Sequence, residues 1–166
     1  MSSTPDDDCA PPGLRPAAAP DLPAIKELIS AAYARYLTRM DKPPAPLFRD
    51  YGPSVEEGTT WVVGEPVTAV LTLYPRAGHM YVENLTVDPG VQGRGLGRAL
   101  LDFAEAEAAR RGLGRMALVT HEAMTENLVI YTRRGYVEVE RRAEDGYRRI
   151  YLEKQLPAQA PASYEA

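Results

Sequence analysis

The chain has 166 residues, of which 45% are hydrophobic and 25% are charged, as is typical of one globular domain with a sizeable core. Four of the 23 acidic residues lie in the terminal segments 1–12 and 157–166, so the remaining 19 equal the 19 Lys and Arg residues. A body without a basic excess is not expected to bind nucleic acid. Because no segment is apolar over the roughly 20 residues of a membrane span and no secretory signal is visible, we predict a cytoplasmic protein without a membrane partner.

The terminal segments differ in composition from the middle of the chain. Residues 1–12 hold three Asp and three Pro residues, and 157–166 are mostly Pro, Ala and small polar residues. Both are predicted to be disordered tails, which leaves 13–156 as the folded domain. The single cysteine, Cys9, excludes an intrachain disulfide. His79 and His121 have no set of partner ligands at metal-binding spacing, so no metal is predicted.

Hydrophobic periodicity predicts alternating strands and helices along the chain. Strands are expected over 13–17, 59–63, 67–74, 80–87, 116–120, 136–142 and 147–152. Helices are expected from about Asp21 to Leu37 and over 47–57, 95–111 and 124–134. The three strands from 59 to 87 should form an antiparallel meander, and the last two strands a hairpin. The strand at 116–120 should run parallel to the one at 80–87, because a helix connects them.

A glycine-spaced turn separates the 80–87 strand from the next helix. It consists of Gln92, Gly93, Arg94, Gly95, Leu96, Gly97 and Arg98. A helix N-terminus presents backbone N–H groups without internal partners, and glycines let a bulky phosphate approach the backbone. The turn lacks the third Gly of a dinucleotide fingerprint and the Lys-Ser/Thr of a P-loop. It therefore predicts a phosphate site of another kind.

The pattern Gln-x-x-Gly-x-Gly between a strand and a helix resembles the acyl-CoA pyrophosphate loop of the GNAT superfamily of N-acetyltransferases. The order of predicted elements over 13–154 is similar to that family as well. The resemblance implies an α/β (α+β) fold, in which a mostly antiparallel central sheet of about seven strands is flanked by about four helices. Strands 4 and 5 splay apart in that fold, and acetyl-CoA lies between them as the cosubstrate. The implied reaction is direct transfer of an acetyl group to a primary amine of a small molecule or peptide, and the family suggests a homodimer.

The resemblance also implies which residues hold the cofactor. The main chain of Leu85, Thr86 and Val87 is expected to pair with the pantetheine arm, and residues 92–98 to hold the pyrophosphate. Many relatives place an Asn seven residues before a helical Tyr, where this chain has Met124. Asn127 lies on the same helix face, one turn closer to the Tyr. It is expected either to reach the pantetheine or to brace the Tyr.

Glu83 is the candidate base, because a carboxylate within an apolar strand is costly unless it is paired or used. An alkylamine reaches an enzyme mostly as ammonium, so a base must remove a proton, directly or through a water. Strand alternation predicts Tyr81, Glu83, Leu85 and Val87 on one face. Family members often have an acid at this position, and others have it two residues earlier. The alternative is a solvent-facing Glu or a structural ion pair.

Tyr131 is the candidate acid. The segment from Asn127 to Tyr136 looks like the family helix that carries an Asn, a Tyr and then Gly-Tyr. In relatives, that Tyr directs its hydroxyl at the sulfur of CoA and protonates the departing thiolate. The alternative is an aromatic residue that packs in the core.

Two other functions compete with an N-acetyltransferase. A non-catalytic acyl-CoA-binding or regulatory domain on the same fold would keep the glycine loop but lose the base and the acid. A nucleotide-binding module would bind ATP and not CoA. The identity of the acceptor amine is not encoded in any motif of the sequence.

Overall fold

The computed structural model describes residues 10–158. Cys9 and most of both predicted tails therefore lie outside the described residues. Within the described part, Pro11 is buried and its carbonyl accepts a hydrogen bond from the backbone N–H of Leu14 at 3.1 Å. No helix in the described part of the chain is both long and apolar enough to cross a membrane.

The predicted order of elements is confirmed. The strands are β1 (Leu14–Pro16), β2 (Thr60–Val63), β3 (Ala69–Arg76), β4 (His79–Val87), β5 (Arg115–His121), β6 (Val137–Glu144) and β7 (Tyr147–Gln155). The helices are α1 (Leu22–Tyr33), α2 (Gly52–Glu56), α3 (Leu96–Arg110) and α4 (Thr125–Arg133). The helix expected over 47–57 is instead a 3-10 turn, Ala45–Phe48, followed by α2. The interruption follows from Pro53, which suits only the first turn of a new helix.

The sheet has the order β1-β2-β3-β4-β5-β7-β6. Only β4 and β5 run parallel, and they pair at just three positions, from Met80↔Met116 to Val82↔Leu118. Beyond Val82 the two strands separate, because β5 continues along β7 as far as His121 while β4 continues along β3 as far as Val87. The predicted mixed sheet with splayed strands 4 and 5 is confirmed. The separation leaves the β5-facing backbone edge of β4 without a strand partner.

A β-bulge at Glu83 interrupts the alternation of β4. Val82 pairs with Leu73 and Asn84 pairs with Thr72, so Glu83 has no partner in β3. The extra residue reverses the faces on one side of the bulge. The prediction that Tyr81, Glu83, Leu85 and Val87 share one face is therefore wrong. Leu85 and Val87 face the α3 side together with Val82, whereas Tyr81 faces the opposite side with Asn84.

Two apolar clusters cover the two faces of the sheet. The larger cluster joins β3, β4, β5 and β7 to one face of α3, where Leu100, Leu101 and Ala104 are fully buried. The smaller cluster joins β2 and β3 to α1 and α2. Fully burying a Leu side chain contributes about 1.5–3 kcal/mol, so these faces hold the helices firmly on the sheet. The rigid sheet then fixes the positions of the residues at the gap between β4 and β5.

Candidate active site

Two cavities meet where β4 and β5 separate. The loop-side cavity, of about 440 Å³, lies beside the glycine turn, and the hairpin-side cavity, of about 850 Å³, lies beside the β3–β4 turn and the β6–β7 hairpin. Four residues line both cavities: Tyr33, Leu85, Asn127 and Tyr131. The two cavities are therefore adjacent, and these four residues stand at the junction between them.

The loop-side cavity contains nearly all of the predicted cofactor residues. It is lined by Leu85, Thr86, Val87, Gln92, Gly93, Gly95, Leu96, Gly97, Arg98 and Asn127. Arg94 is the exception, because its side chain is exposed and does not line the cavity. Arg35, Arg98 and Arg133 supply this cavity with positive charge, whereas Arg134, which also lines it, is paired with Asp102 and Glu105.

The glycine turn is shaped to expose the N-terminus of α3. Gly93 and Gly95 have φ values of 83° and 82°, a left-handed conformation that glycine adopts without strain. Gly95 begins the helix without any side-chain cap, and the Ala99 N–H is the first to donate along the helix, to the Gly95 carbonyl. The N–H groups of the three preceding helical residues therefore have no intrahelical acceptor. Together with the helix dipole, they form an anion-binding cradle beside a positively charged wall.

Gln92 braces this turn against the neighbouring elements. Its side-chain amide donates to the Val87 carbonyl at 3.0 Å, and its side-chain oxygen accepts from the guanidinium of Arg35, also at 3.0 Å. The brace connects the turn to the end of β4 and to the 3-10 turn Ala34–Tyr36, which follows α1. Sequence reasoning missed Tyr33, Arg35 and Tyr36 as lining residues, because nothing in the spacing of α1 shows that its C-terminal end borders the cleft.

Tyr131 lies at the junction of the two cavities. Its ring is 9% exposed and packs edge to face against Tyr136, with a centroid separation of 5.7 Å. The hydroxyl has no hydrogen-bond partner among the described residues. Burial, reinforced by Tyr33 and Tyr36, raises the pKa of the phenol, which is therefore protonated at neutral pH. A neutral O–H donor with free hydrogen-bonding capacity thus faces the point where the cavities meet.

Glu83 lies in the hairpin-side cavity, on the bulge of β4. Its side chain is 17% exposed, and its Oε1 atom is 2.9 Å from the Nε atom of Arg49. The ion pair that the sequence offered as an alternative is thus present. It coexists with access to the cavity, because both Glu83 and Arg49 line it. The bulge frees Glu83 from strand pairing and sets its carboxylate beside the cleft.

A roof segment, residues 37–46, crosses the cleft. Arg39 makes two 2.8 Å hydrogen bonds to Glu126 on α4 and thereby lowers the pKa of that carboxyl to about 2. At the other end, the Tyr147 hydroxyl donates to the Pro43 carbonyl at 2.6 Å, and Lys42 donates to the Asp145 carbonyl at 2.8 Å. The roof segment therefore connects α4 to the β6–β7 hairpin, and part of it lines the hairpin-side cavity.

Asn127 and Met124 are in contact at the N-terminal end of α4. The Asn127 side-chain amide lies 3.8 Å from the Met124 sulfur, and the Thr120 hydroxyl lies 3.7 Å from the same atom. Met124 is buried, whereas Asn127 borders both cavities. The side-chain oxygen of Asn127 has no hydrogen-bond partner among the described residues. The position of Asn127 therefore suits either predicted role, contact with the pantetheine or bracing of Tyr131.

His121 also lines the hairpin-side cavity, but its ring nitrogens face the backbone. Nδ1 lies 2.9 Å from the Ala123 backbone nitrogen, and Nε2 lies 3.2 Å from that of Arg148. Burial lowers the pKa of the imidazole, so the ring is neutral at pH 7. These contacts indicate a structural role at the end of β5.

The splayed mixed sheet, the glycine cradle and the tyrosine at the cavity junction together define an acyltransferase architecture. A family model described as "Acetyltransferase (GNAT) family" matches residues 22–136. The chain therefore belongs to the GNAT acetyltransferase family.

Known relatives agree with this membership. Over 93 residues the chain is 36% identical to the mycothiol acetyltransferase of Mycobacterium leprae, and the match covers 56% of this chain and 29% of that protein. The chain spans less than a third of the length of the curated relatives it matches.

Solved structures share the fold at low sequence identity. The PaiA N-acetyltransferase of Thermoplasma acidophilum, solved in complex with coenzyme A, has a TM-score of 0.73 at 14% identity, covering 86% of this chain and 97% of that one. The ribosomal-protein-S18-alanine N-acetyltransferase of Escherichia coli has a TM-score of 0.68 at 20% identity, covering 91% of this chain and 97% of that one.

Proposed function

We propose that this protein transfers an acetyl group directly from acetyl-CoA to the primary amine of a small molecule or peptide. The observation that carries the proposal is the position of Tyr131 at the junction of two cavities, one with an anion cradle and the other with a carboxylate. A buried tyrosine that only packs in the core usually has a hydrogen-bond partner for its hydroxyl, and the Tyr131 hydroxyl has none among the described residues.

The loop-side cavity fits acetyl-CoA. An added Cβ at Gly93 or Gly95 would meet nothing within 4 Å, so open space lies in front of the cradle. The unpaired edge of β4 offers backbone groups to an extended pantetheine arm, in the manner of an added strand. The structural neighbour PaiA was solved with coenzyme A, which supports the same occupant here. When bound, acetyl-CoA supplies an acetyl thioester.

The hairpin-side cavity fits the amine. A protonated amine is drawn to the Glu83 carboxylate, which then accepts a proton from it directly or through a water. With a side chain only 17% exposed, Glu83 interacts with an ammonium group more strongly than a fully solvated carboxylate would. The mycothiol acetyltransferase and PaiA relatives are both named as acetyltransferases, and PaiA specifically as an N-acetyltransferase.

Tyr131 assists the leaving thiolate chiefly as a hydrogen-bond donor. An ordinary thiol has a pKa of about 8.5 and an ordinary phenol about 10. Between an ordinary phenol and an ordinary thiolate, complete proton transfer is uphill by about 2 kcal/mol, and burial raises the pKa of the Tyr131 phenol. A hydrogen bond to the developing negative charge has no such cost. The phenol therefore stabilises the departing thiolate by a hydrogen bond as the C–S bond breaks, and it keeps its own proton.

A thiol-release assay with acetyl-CoA and a panel of amines tests the proposal. Amine-dependent release of CoA is expected, and the Glu83→Gln variant should reduce it by about 10²-fold or more. The Glu56→Gln variant, an exposed carboxylate on α2, is the matched control and should retain full activity. Tight CoA binding without amine-dependent release across the panel would favour the non-catalytic binding domain. Calorimetric binding of ATP but not CoA would favour a nucleotide-binding module.

A further inference from the structure

Arg49 and Glu83 form a pair of opposite charges in the wall of the hairpin-side cavity. Arg49 follows the 3-10 turn Ala45–Phe48, and its Nε atom lies 2.9 Å from Glu83 Oε1. A third of the Arg49 side chain is exposed, compared with 17% of Glu83. Within the pair, the Glu83 side chain is therefore the more buried one, and the Arg49 side chain is more accessible to a ligand.

The guanidinium of Arg49 can donate further hydrogen bonds. Among the described residues, Glu83 is the only carboxylate within 4 Å of it. The Tyr51 hydroxyl is a second hydrogen-bonding neighbour of this guanidinium. A guanidinium presents five N–H donors in a planar fork that matches a carboxylate, so these two contacts do not use all of its donors. A second carboxylate can thus bind Arg49 while Glu83 stays in place.

A second cation, Arg76, extends the positive charge at this wall. It lies at the end of β3, borders the same cavity, and packs over the ring of Tyr74 at 5.2 Å. No carboxylate of the described residues lies within 4 Å of it. The other two arginines of the cavity, Arg142 and Arg149, are by contrast paired with Glu140 and Glu144.

The Tyr81 phenol lies near the charged side chains of this wall. Burial raises the pKa of its phenol, while Arg49, Arg149 and Arg76 each act to lower it. Three cations are thus close enough to one hydroxyl to affect it, whereas Glu83 is the one carboxylate that does so. Because Arg149 is already paired with Glu144, Arg49 and Arg76 are the two cations of this wall that can attract a further anion beside Glu83.

We propose that the acceptor is a free α-amino acid, whose ammonium group binds Glu83 and whose carboxylate binds Arg49, with Arg76 adding long-range attraction. This inference rests on the proposed function and names its substrate class. An α-amino acid carries opposite charges on groups separated by a single carbon, which complements two opposite charges held 2.9 Å apart. A peptide N-terminus carries a neutral amide in place of that carboxylate and leaves the Arg49 fork unused.

The test compares each amino acid with its carboxamide and its decarboxylated amine in the thiol-release assay. We expect the free acid to have a kcat/KM about 10- to 100-fold above that of the carboxamide, the range given by a hydrogen-bonded charge. In the Arg49→Gln variant, the KM for the acid should rise by about that factor, while the KM for the carboxamide should stay within twofold. Arg111→Gln, at an exposed position after α3, should change neither value.

Three outcomes would overturn the inference. Equal kcat/KM values for the acid and the carboxamide would do so while leaving the transferase intact. An equal loss of kcat for both substrates in Arg49→Gln would show that Arg49 only positions Glu83. The third uses binding alone: if calorimetry on the CoA-saturated protein shows no preference for the acid, the inference fails whether or not turnover is seen.

Discussion

The Tyr131→Phe variant isolates the contribution of one oxygen atom. The ring stays buried against Tyr136, and the hydroxyl has no partner within the described residues, so removing it breaks no hydrogen bond. We therefore expect the free energy of unfolding to change by less than about 0.5 kcal/mol. Coenzyme A affinity should stay within about twofold, because the pyrophosphate cradle is untouched.

Turnover by Tyr131→Phe should fall by about 10²-fold, or roughly 2.7 kcal/mol of transition-state stabilisation. This value lies at the lower end for acid catalysis because complete proton transfer from a phenol of raised pKa is uphill. The assay measures kcat by thiol release, with unfolding followed in parallel by thermal melting. Tyr136→Phe is the matched control, since its hydroxyl contacts Glu105 at 3.4 Å outside both cavities, and its kcat should be unchanged. A Tyr131→Phe kcat within threefold of wild type would refute the role of the hydroxyl.

Three further variants test the cradle, an ion pair and the core. Gly95→Glu should weaken CoA binding at least 100-fold by calorimetry, whereas Gly58→Glu, with a similar positive φ and equally open surroundings, should leave binding unchanged. Asp21 makes two 2.8 Å hydrogen bonds to Arg15, which lower its pKa to about 2, so its contribution is complete above about pH 4 and lost as the pH falls towards 2. Asp21→Asn should therefore be less stable by about 1–2 kcal/mol at pH 7 and equal to wild type near pH 2 in denaturant titrations; a constant difference would contradict the linkage. Leu101→Ala, at a fully buried position on α3, should lose about 2–5 kcal/mol, and a smaller loss would mean that the core collapses around the cavity.

Much of the fold could be predicted because local patterns agreed with the final packing. The apolar face of α3, the Gly146 turn of the last hairpin and the parallel strand after α3 all follow from periodicity and connection rules. The glycine turn could be predicted as an anion site because its mechanism is local, involving a helix N-terminus and glycines with positive φ.

The bulge at Glu83 was not predicted, although the sequence carries a trace of it. The aliphatic residues of β4 fall at even positions up to Val82 and at odd positions from Leu85, so the alternation changes phase at the polar pair between them. The register against β3 then identifies Glu83 as the extra residue. The sequence did not reveal Arg49 as the partner of Glu83. The two lie 34 positions apart, and the segment that contains Arg49 has no periodicity to define a face.

The role of α4 was predicted in part. The resemblance of the segment from Asn127 to Tyr136 to the family helix implied that Tyr131 would border the cleft, and Tyr131 lines both cavities. The bidentate pair between Arg39 and Glu126 was not foreseen, since it joins an irregular segment to a helix 87 residues away. Long-range pairs of this kind arise from the tertiary arrangement and leave no local signature.

The two cavities extend towards opposite ends of β4. The loop-side cavity borders the glycine turn just past Val87, and the hairpin-side cavity borders the β3–β4 turn next to His79. The two ends of β4 are roughly 26 Å apart, at about 3.3 Å per residue. A thiol and an acetylated product formed between the cavities would therefore lie in different cavities. This arrangement does not require either one to leave before the other.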